Sequence, residues 1–171
     1  MSKSIGNIVT INKLRKNVNG EVIRFALLSS HYKQPLDWNE KLIKESRNTL
    51  DKWYGQFEKI NYEKLDDDVL IPLKEDLNTP EYIAKLHSLF EDSSKGNKSS
   101  KVKFLSACKQ IGLLEDKQSW ENFKKSKVKV DENFINQKII DRNKARKNGD
   151  YKLADSLRKE LDDNGVIIED K

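Results

Sequence analysis

Lys3 stands between Ser2 and Ser4, with Gly6 close behind, in the opening run Met1-Ser2-Lys3-Ser4-Ile5-Gly6-Asn7. Small hydroxyl residues and a glycine let the backbone bend closely around a phosphate. A mobile ammonium on such a loop is a point charge that can follow a moving anion. By composition alone the same stretch also reads as a polar tail. Other reactive side chains are sparse. Cys108 is the only cysteine, and His31 and His87 are the only histidines. One Cys and two His at these spacings make no zinc site, and no internal disulfide can form. Asp66-Asp67-Asp68 sets three carboxylates in a row, which without other ligands reads as a solvated turn. No nucleophile–base pair or Gly-rich phosphate cradle appears, and Cys108, on an apolar face, reads as a buried small hydrophobe.

The charge pattern points to a polyanion. Of 171 residues, 36% are charged and 36% hydrophobic, with a net charge of +5. Residues 1–61 carry net +5, residues 62–92 net −6, residues 93–149 net +9 and residues 150–171 net −3. A basic block of that size suits phosphate neutralisation, with strongly salt-dependent binding; solvated Lys-rich helix faces account for it equally well. No apolar run approaches the ~20 residues of a membrane-spanning helix. Nothing at the N-terminus reads as a signal peptide, so a cytoplasmic chain is expected.

The elements that must position these groups read as mainly helical. Residues 8–11 are β-branched and predict a brief strand. Glu21 to about His31 predicts a mostly buried helix with Arg24 as its polar exception, ended by Pro35. Asp37 and Glu40 form a capping box for the next helix. Its stripe of Leu42, Ile43, Leu50, Trp53, Tyr54, Phe57 and Ile60 is core in character. Residues 61–76 read as acidic and irregular. Asn78-Thr79-Pro80-Glu81 starts a helix whose buried face is Ile83, Leu86, Leu89 and Phe90. Residues 92–101 read as a flexible linker. A helix through Leu105, Cys108 and Ile111 closes at Gly112. Trp120 and Phe123 anchor a short helix before Lys124, Lys125, Lys127 and Lys129. Asp131 caps a helix with Phe134, Ile135 and Ile139 inward and Lys138, Arg142, Lys144, Arg146 and Lys147 outward. After a turn at residues 148–150, a last helix uses Ala154, Leu157 and Leu161, and residues 166–168 read as a terminal strand.

Four stretches occur in a telling order: MSKSIGN, GEVIRFALLSSHYKQPLDW, DLNTPEY and ARKNGDYKLADSLRKELDDNGVIIED. Together they resemble cysteinyl-tRNA synthetase, a class I enzyme, from its KMSKS loop onward. The family has a lysine just before this Met, where the present sequence starts. The resemblance implies a mainly α fold: a helical bundle of the class I anticodon-binding type, a small C-terminal helical and strand module, and a short N-terminal remnant. The expected divisions are residues 1–36 (KMSKS loop and stem contact), 37–114 (bundle) and 115–171 (anticodon recognition, stopping short of the family's usual tail).

By the same resemblance Lys3 is the catalytic lysine that stabilises departing pyrophosphate, and Met1, Ser2, Lys3 and Ser4 bind ATP. Arg24, His31, Tyr32 and Lys33 are implied to contact the tRNA stem and backbone, although His31 and Tyr32 read equally as packing at a helix end. Arg146, Tyr151, Asp155, Arg158 and Asp170 take the family's anticodon-contacting positions. Tyr151 stands where a Trp can occur, which weakens stacking modestly. The implied function is cysteine–tRNA ligation with ATP through a cysteinyl-adenylate. The implied partners are a cysteine-specific tRNA and, given a catalytic half, ATP and L-cysteine; a monomer is expected. The family's zinc ligands and nucleotide-binding half precede the loop, so these 171 residues alone are expected to be inactive. The alternative is a free-standing, non-catalytic tRNA-binding protein.

Overall fold

A computed structural model describes residues 10–127, 130–166 and 168. The helices are α1 (Ile11–Leu14), α2 (Gly20–Leu28), α3 (Glu40–Tyr54), α4 (Asp67–Lys74), α5 (Thr79–Ser94), α6 (Lys98–Gln110), α7 (Lys117–Lys127), α8 (Glu132–Lys147) and α9 (Tyr151–Asp163). Among the described residues there is no strand. The chain divides into two compact units, one up to Lys117 and one from Gln118 onward.

Trp53 is the centre of the first unit. It is 1% exposed and meets Phe25 of α2 edge-on at 5.4 Å, Phe104 of α6 at 5.2 Å and His87 of α5 at 5.0 Å. One indole on α3 therefore joins four helices, and such edge-to-face pairs add to the area that is buried. Val22, Leu50, Tyr82, Leu86 and Cys108 complete the core. Tyr82 keeps its hydroxyl satisfied there by donating to the Ala107 carbonyl at 3.0 Å.

Several boundaries differ from the expectations, each for a local reason. Thr10 caps α1, accepting from the Lys13 N–H, so Ile11 is helical and not in a strand; residues 8 and 9 lie outside the described ones. The second helix stops at Leu28 and not at Pro35: the Ser29 N–H makes a last helical bond to the Phe25 carbonyl, and its hydroxyl donates to the Ala26 carbonyl. Asn39, not Asp37, caps α3: its side chain accepts from the Leu42 N–H at 2.8 Å, while Asp37 accepts from the Asn39 amide. That helix ends at Tyr54, leaving Phe57 and Ile60 beyond it.

The acidic stretch contains α4, with Pro72 inside it. Asp67 and Asp68 lie in its first turn and Lys74 in its last, both favourable to the helix dipole. Pro72 cannot donate to the carbonyl four residues back. That carbonyl belongs to Asp68, and the Lys85 ammonium donates to it instead. The expected linker at residues 92–101 is a helical hairpin: Gly96 takes φ +93°, the Asn97 N–H returns to the Asp92 carbonyl at 3.2 Å, and Asn97 caps α6.

In the second unit α8 and α9 form an antiparallel hairpin around Ala145, Ala154, Leu157 and Leu161. Asp131 and Asp150 cap the two helices. Lys138 Nζ lies 2.8 Å from Glu160 Oε2 across them. Arg142, expected on the solvated side, is only 5% exposed: it falls one turn from Lys138 and one turn from the buried Ala145, on the same stripe of α8. Val166 and Ile168 are not in a strand. The Val166 N–H returns to the Leu161 carbonyl at 2.9 Å and closes the helix end.

Candidate nucleic-acid interface

Two groups of candidate residues come together, one in each unit. In the first, the α2–α3 connection carries His31, Tyr32 and Lys33, and all three converge on Asp76 in the α4–α5 connection. Tyr32 Oη donates to Asp76 Oδ1 at 2.6 Å, Lys33 Nζ donates to Asp76 Oδ2, and His31 Nε2 lies 3.2 Å from the Asp76 carbonyl. The His31 and Tyr32 rings stack at 4.8 Å, with the Lys33 ammonium 5.4 Å from the Tyr32 centroid. The hydrogen bonds from Lys33, then Tyr32, hold the Asp76 carboxyl below the usual range, and Asp76 in turn raises the Lys33 ammonium. Asp76 and Leu77 both have positive φ, 56° and 51°, a conformation non-glycine residues hold only when their surroundings fix it. These contacts supply that fixing for Asp76.

The sequence reading missed Asp76. It lies 43 residues beyond Lys33 in a run of acids, and no local spacing marks it as the partner. Arg24 is apart from this cluster. Its guanidinium donates to the carbonyl of Gly112, and a cleft of about 470 Å³ separates the two groups, lined by Arg24, Leu27, Tyr32, Leu73, Leu77 and Ile111 among others.

In the second unit, Tyr151, Asp155 and Arg158 occur at i, i+4 and i+7 on α9 and so share one stripe. All three are exposed, Tyr151 at 66%. The stripe flanks the buried line of Ala154, Leu157 and Leu161. Arg146, also exposed, lies in the last turn of α8, joined to α9 by the 148–150 turn. The hairpin thus carries a ring at the start of α9, a carboxylate one turn on and a guanidinium about two turns on, with a second guanidinium in the last turn of α8. Met1, Ser2, Lys3, Ser4 and Asp170 lie outside the described residues.

A zinc ion, which the family resemblance implies, finds no seat among the described residues: no group of three or more His, Cys, Asp or Glu lies close enough to hold one. Cys108 is fully buried, and burial pushes its thiol pKa up, the reverse of what a thiolate ligand needs. Among the described residues no helix is long and apolar enough to cross a membrane.

A family model described as the class I (C) tRNA synthetase catalytic domain matches residues 1–48, running through α2 and into α3. Relatives match across the chain. The cysteine–tRNA ligase of Pelagibacter ubique (strain HTCC1062) is 50% identical over 100% of this chain and 38% of its own length. That of Xanthobacter autotrophicus (strain ATCC BAA-1158 / Py2) is 40% identical over 99% of the chain and 38% of its own. That of Rickettsia bellii (strain OSU 85-389) is 38% identical over 100% and 38%. The chain thus spans about 38% of the length of these relatives. It belongs to the cysteine–tRNA ligase family of class I synthetases and corresponds to the C-terminal part of its members.

Proposed function

We propose that this chain is the tRNA-binding part of a cytoplasmic cysteine–tRNA ligase, which attaches L-cysteine to its tRNA with ATP through a cysteinyl-adenylate. The observation that carries the reading is the exposed stripe of Tyr151, Asp155 and Arg158 beside Arg146, in a chain matched along its length by cysteine–tRNA ligases. Unpaired bases are read on their edges by Arg and carboxylates and are stacked on aromatic rings. A carboxylate is out of place against phosphate but suits the amino group of a base. Asp170 is assigned an anticodon contact by the family resemblance alone.

His31, Tyr32 and Lys33 are assigned to the inner bend of the tRNA. An ammonium has three donors, so Lys33 can keep Asp76 and still meet a phosphate. Lys3, with Met1, Ser2 and Ser4, is assigned to ATP, where its charge would favour departing pyrophosphate. The functional division proposed is residues 1–36, 37–114 and 115–171, in a monomer.

Titration of the 171-residue protein with cysteine tRNA tests this. Arg146→Ala and Asp155→Ala should each raise Kd by roughly 5- to 150-fold, the range expected of a base contact, and affinity should fall steeply with salt. Binding indifferent to both substitutions, or to salt, would overturn the assignment. The same protein should show no cysteine-dependent ATP–pyrophosphate exchange; clear exchange would contradict this division of labour.

A further inference from the structure

Glu21 and Arg24 stand one turn apart on α2, and both reach a single stretch of backbone 88 to 93 residues away. Arg24 Nη1 donates to the Gly112 carbonyl. Glu21 Oε2 accepts from the Leu114 N–H at 3.1 Å, and the Glu115 backbone also bonds to this carboxylate. Glu21 Oε1 accepts from Tyr54 Oη at 2.7 Å, and the Asp116 backbone bonds to Tyr54. Residues 112–116 are therefore gripped almost residue by residue.

The gripped backbone is not in a relaxed form. Gly112 has φ +69° and Leu114 φ +56°, and Leu113 and Leu114 are buried at 0% and 2% exposure. A leucine keeps a left-handed conformation only where its neighbours over-determine it. The second unit begins at Gln118, directly after this segment.

We propose that Glu21, Arg24 and Tyr54 form a clamp that holds residues 112–116, the last stretch of the first unit, in one conformation, and that all three are positioning residues for tRNA binding. This rests on the tRNA-binding reading above. It gives Arg24 a task other than phosphate contact. Its guanidinium is matched to a carbonyl, and the carboxylate of Glu21 one turn away would repel a polyanion. Two RNA-binding patches on one chain bind with an effective concentration set by the segment between them, so loosening that segment weakens the whole without touching either patch.

The test compares Arg24→Ala, Tyr54→Phe and Gly112→Ala. A Cβ at residue 112 would strike the Arg24 guanidinium and suffer the positive φ. Each variant should raise Kd for full-length cysteine tRNA by about three- to tenfold, the effect of one or two hydrogen bonds. Each should leave the affinity for an isolated anticodon hairpin unchanged, and each should speed amide exchange at residues 113–117. The salt slope should match wild type, and Arg24→Ala with Tyr54→Phe should cost less than the sum of the two. Helical circular dichroism establishes folding, and Arg24→Lys, which can still donate to the Gly112 carbonyl, should recover part of the loss.

If Arg24→Ala instead lowers the salt slope by about one unit with exchange at residues 113–117 unchanged, Arg24 is a phosphate ligand and the clamp is wrong. Equal loss for the hairpin and for full-length tRNA would also refute it. If the wild type binds neither RNA, the tRNA-binding reading fails, while the exchange measurement still decides whether the clamp holds the segment.

Discussion

Tyr151→Ala should weaken tRNA binding without weakening the fold. The ring is 66% exposed at the first position of α9, where Asp150 supplies the cap by accepting from the Leu153 N–H at 3.0 Å. Truncation removes little buried area and leaves the cap intact, and an alanine suits a helix position. Stability, read by thermal or denaturant melting, should therefore stay within about ±0.5 kcal/mol of wild type, the range of an exposed substitution. A base stacked on the ring is another matter. Base–aromatic stacking is worth about 1–3 kcal/mol, so Kd should rise roughly 5- to 150-fold. Tyr151→Phe keeps the stacking face and should bind within a few-fold of wild type. Tyr151→Trp, with a larger face, should bind at least as tightly. Because the ring carries no charge, the slope of log Kd against log salt should be unchanged, whereas Arg146→Ala should lower it if the guanidinium also neutralises a phosphate. Fluorescence anisotropy with labelled cysteine tRNA at several salt concentrations reads all four. Unchanged affinity in Tyr151→Ala, with the fold intact, would refute a stacking role for this residue.

Trp53→Ala should destabilise the first unit by about 3–5 kcal/mol, the usual cost of removing a fully buried large aromatic, and denaturant melting should show it; a loss under about 1 kcal/mol would contradict its central place. Desolvation beside Trp53 holds the His87 imidazole below its ordinary pKa of 6.5. The neutral ring is thus the form the fold prefers: its contribution is complete above pH 6.5 and is lost as pH falls through the lowered value. Trp53 fluorescence should follow that titration, and His87→Gln should abolish it. Cys108, fully buried with its thiol pKa pushed up, should resist alkylation in the native protein and react at once in denaturant; rapid native labelling would show that the α5–α6 core opens. Asp76→Asn should remove the lowered carboxyl pKa and with it the stability that wild type loses as pH falls below 3.8, seen as a smaller acid-induced drop in melting temperature.

Much of the helical framework was legible because its signals are local. Asn78 with Pro80, Asp131, and the Asn148-Gly149-Asp150 turn each act within a few residues, and the structure follows them closely. The helix at residues 67–74 was illegible because Pro72 reads as a breaker, and it is Lys85, from another helix, that satisfies the carbonyl it orphans. Polar composition disguised the turn at residues 95–97, where a single glycine in left-handed geometry suffices to join two helices. Arg142 was misplaced because charge outweighed helical phase in reading the face of α8. For the site, the α9 stripe could be named from resemblance and checked by phase. The convergence of His31, Tyr32 and Lys33 on Asp76, and of Glu21 and Arg24 on residues 112–115, joins positions tens of residues apart that no spacing rule connects.

Discrimination between two tRNAs bears most directly on the account. The 171-residue protein should bind cysteine tRNA more tightly than an unrelated tRNA at equal salt. Substituting the anticodon bases of the cysteine tRNA should erase most of that difference, at about 1–3 kcal/mol for each base read. Equal affinity for both tRNAs, or a preference that survives an exchanged anticodon, would contradict the claim that the α8–α9 hairpin reads unpaired bases.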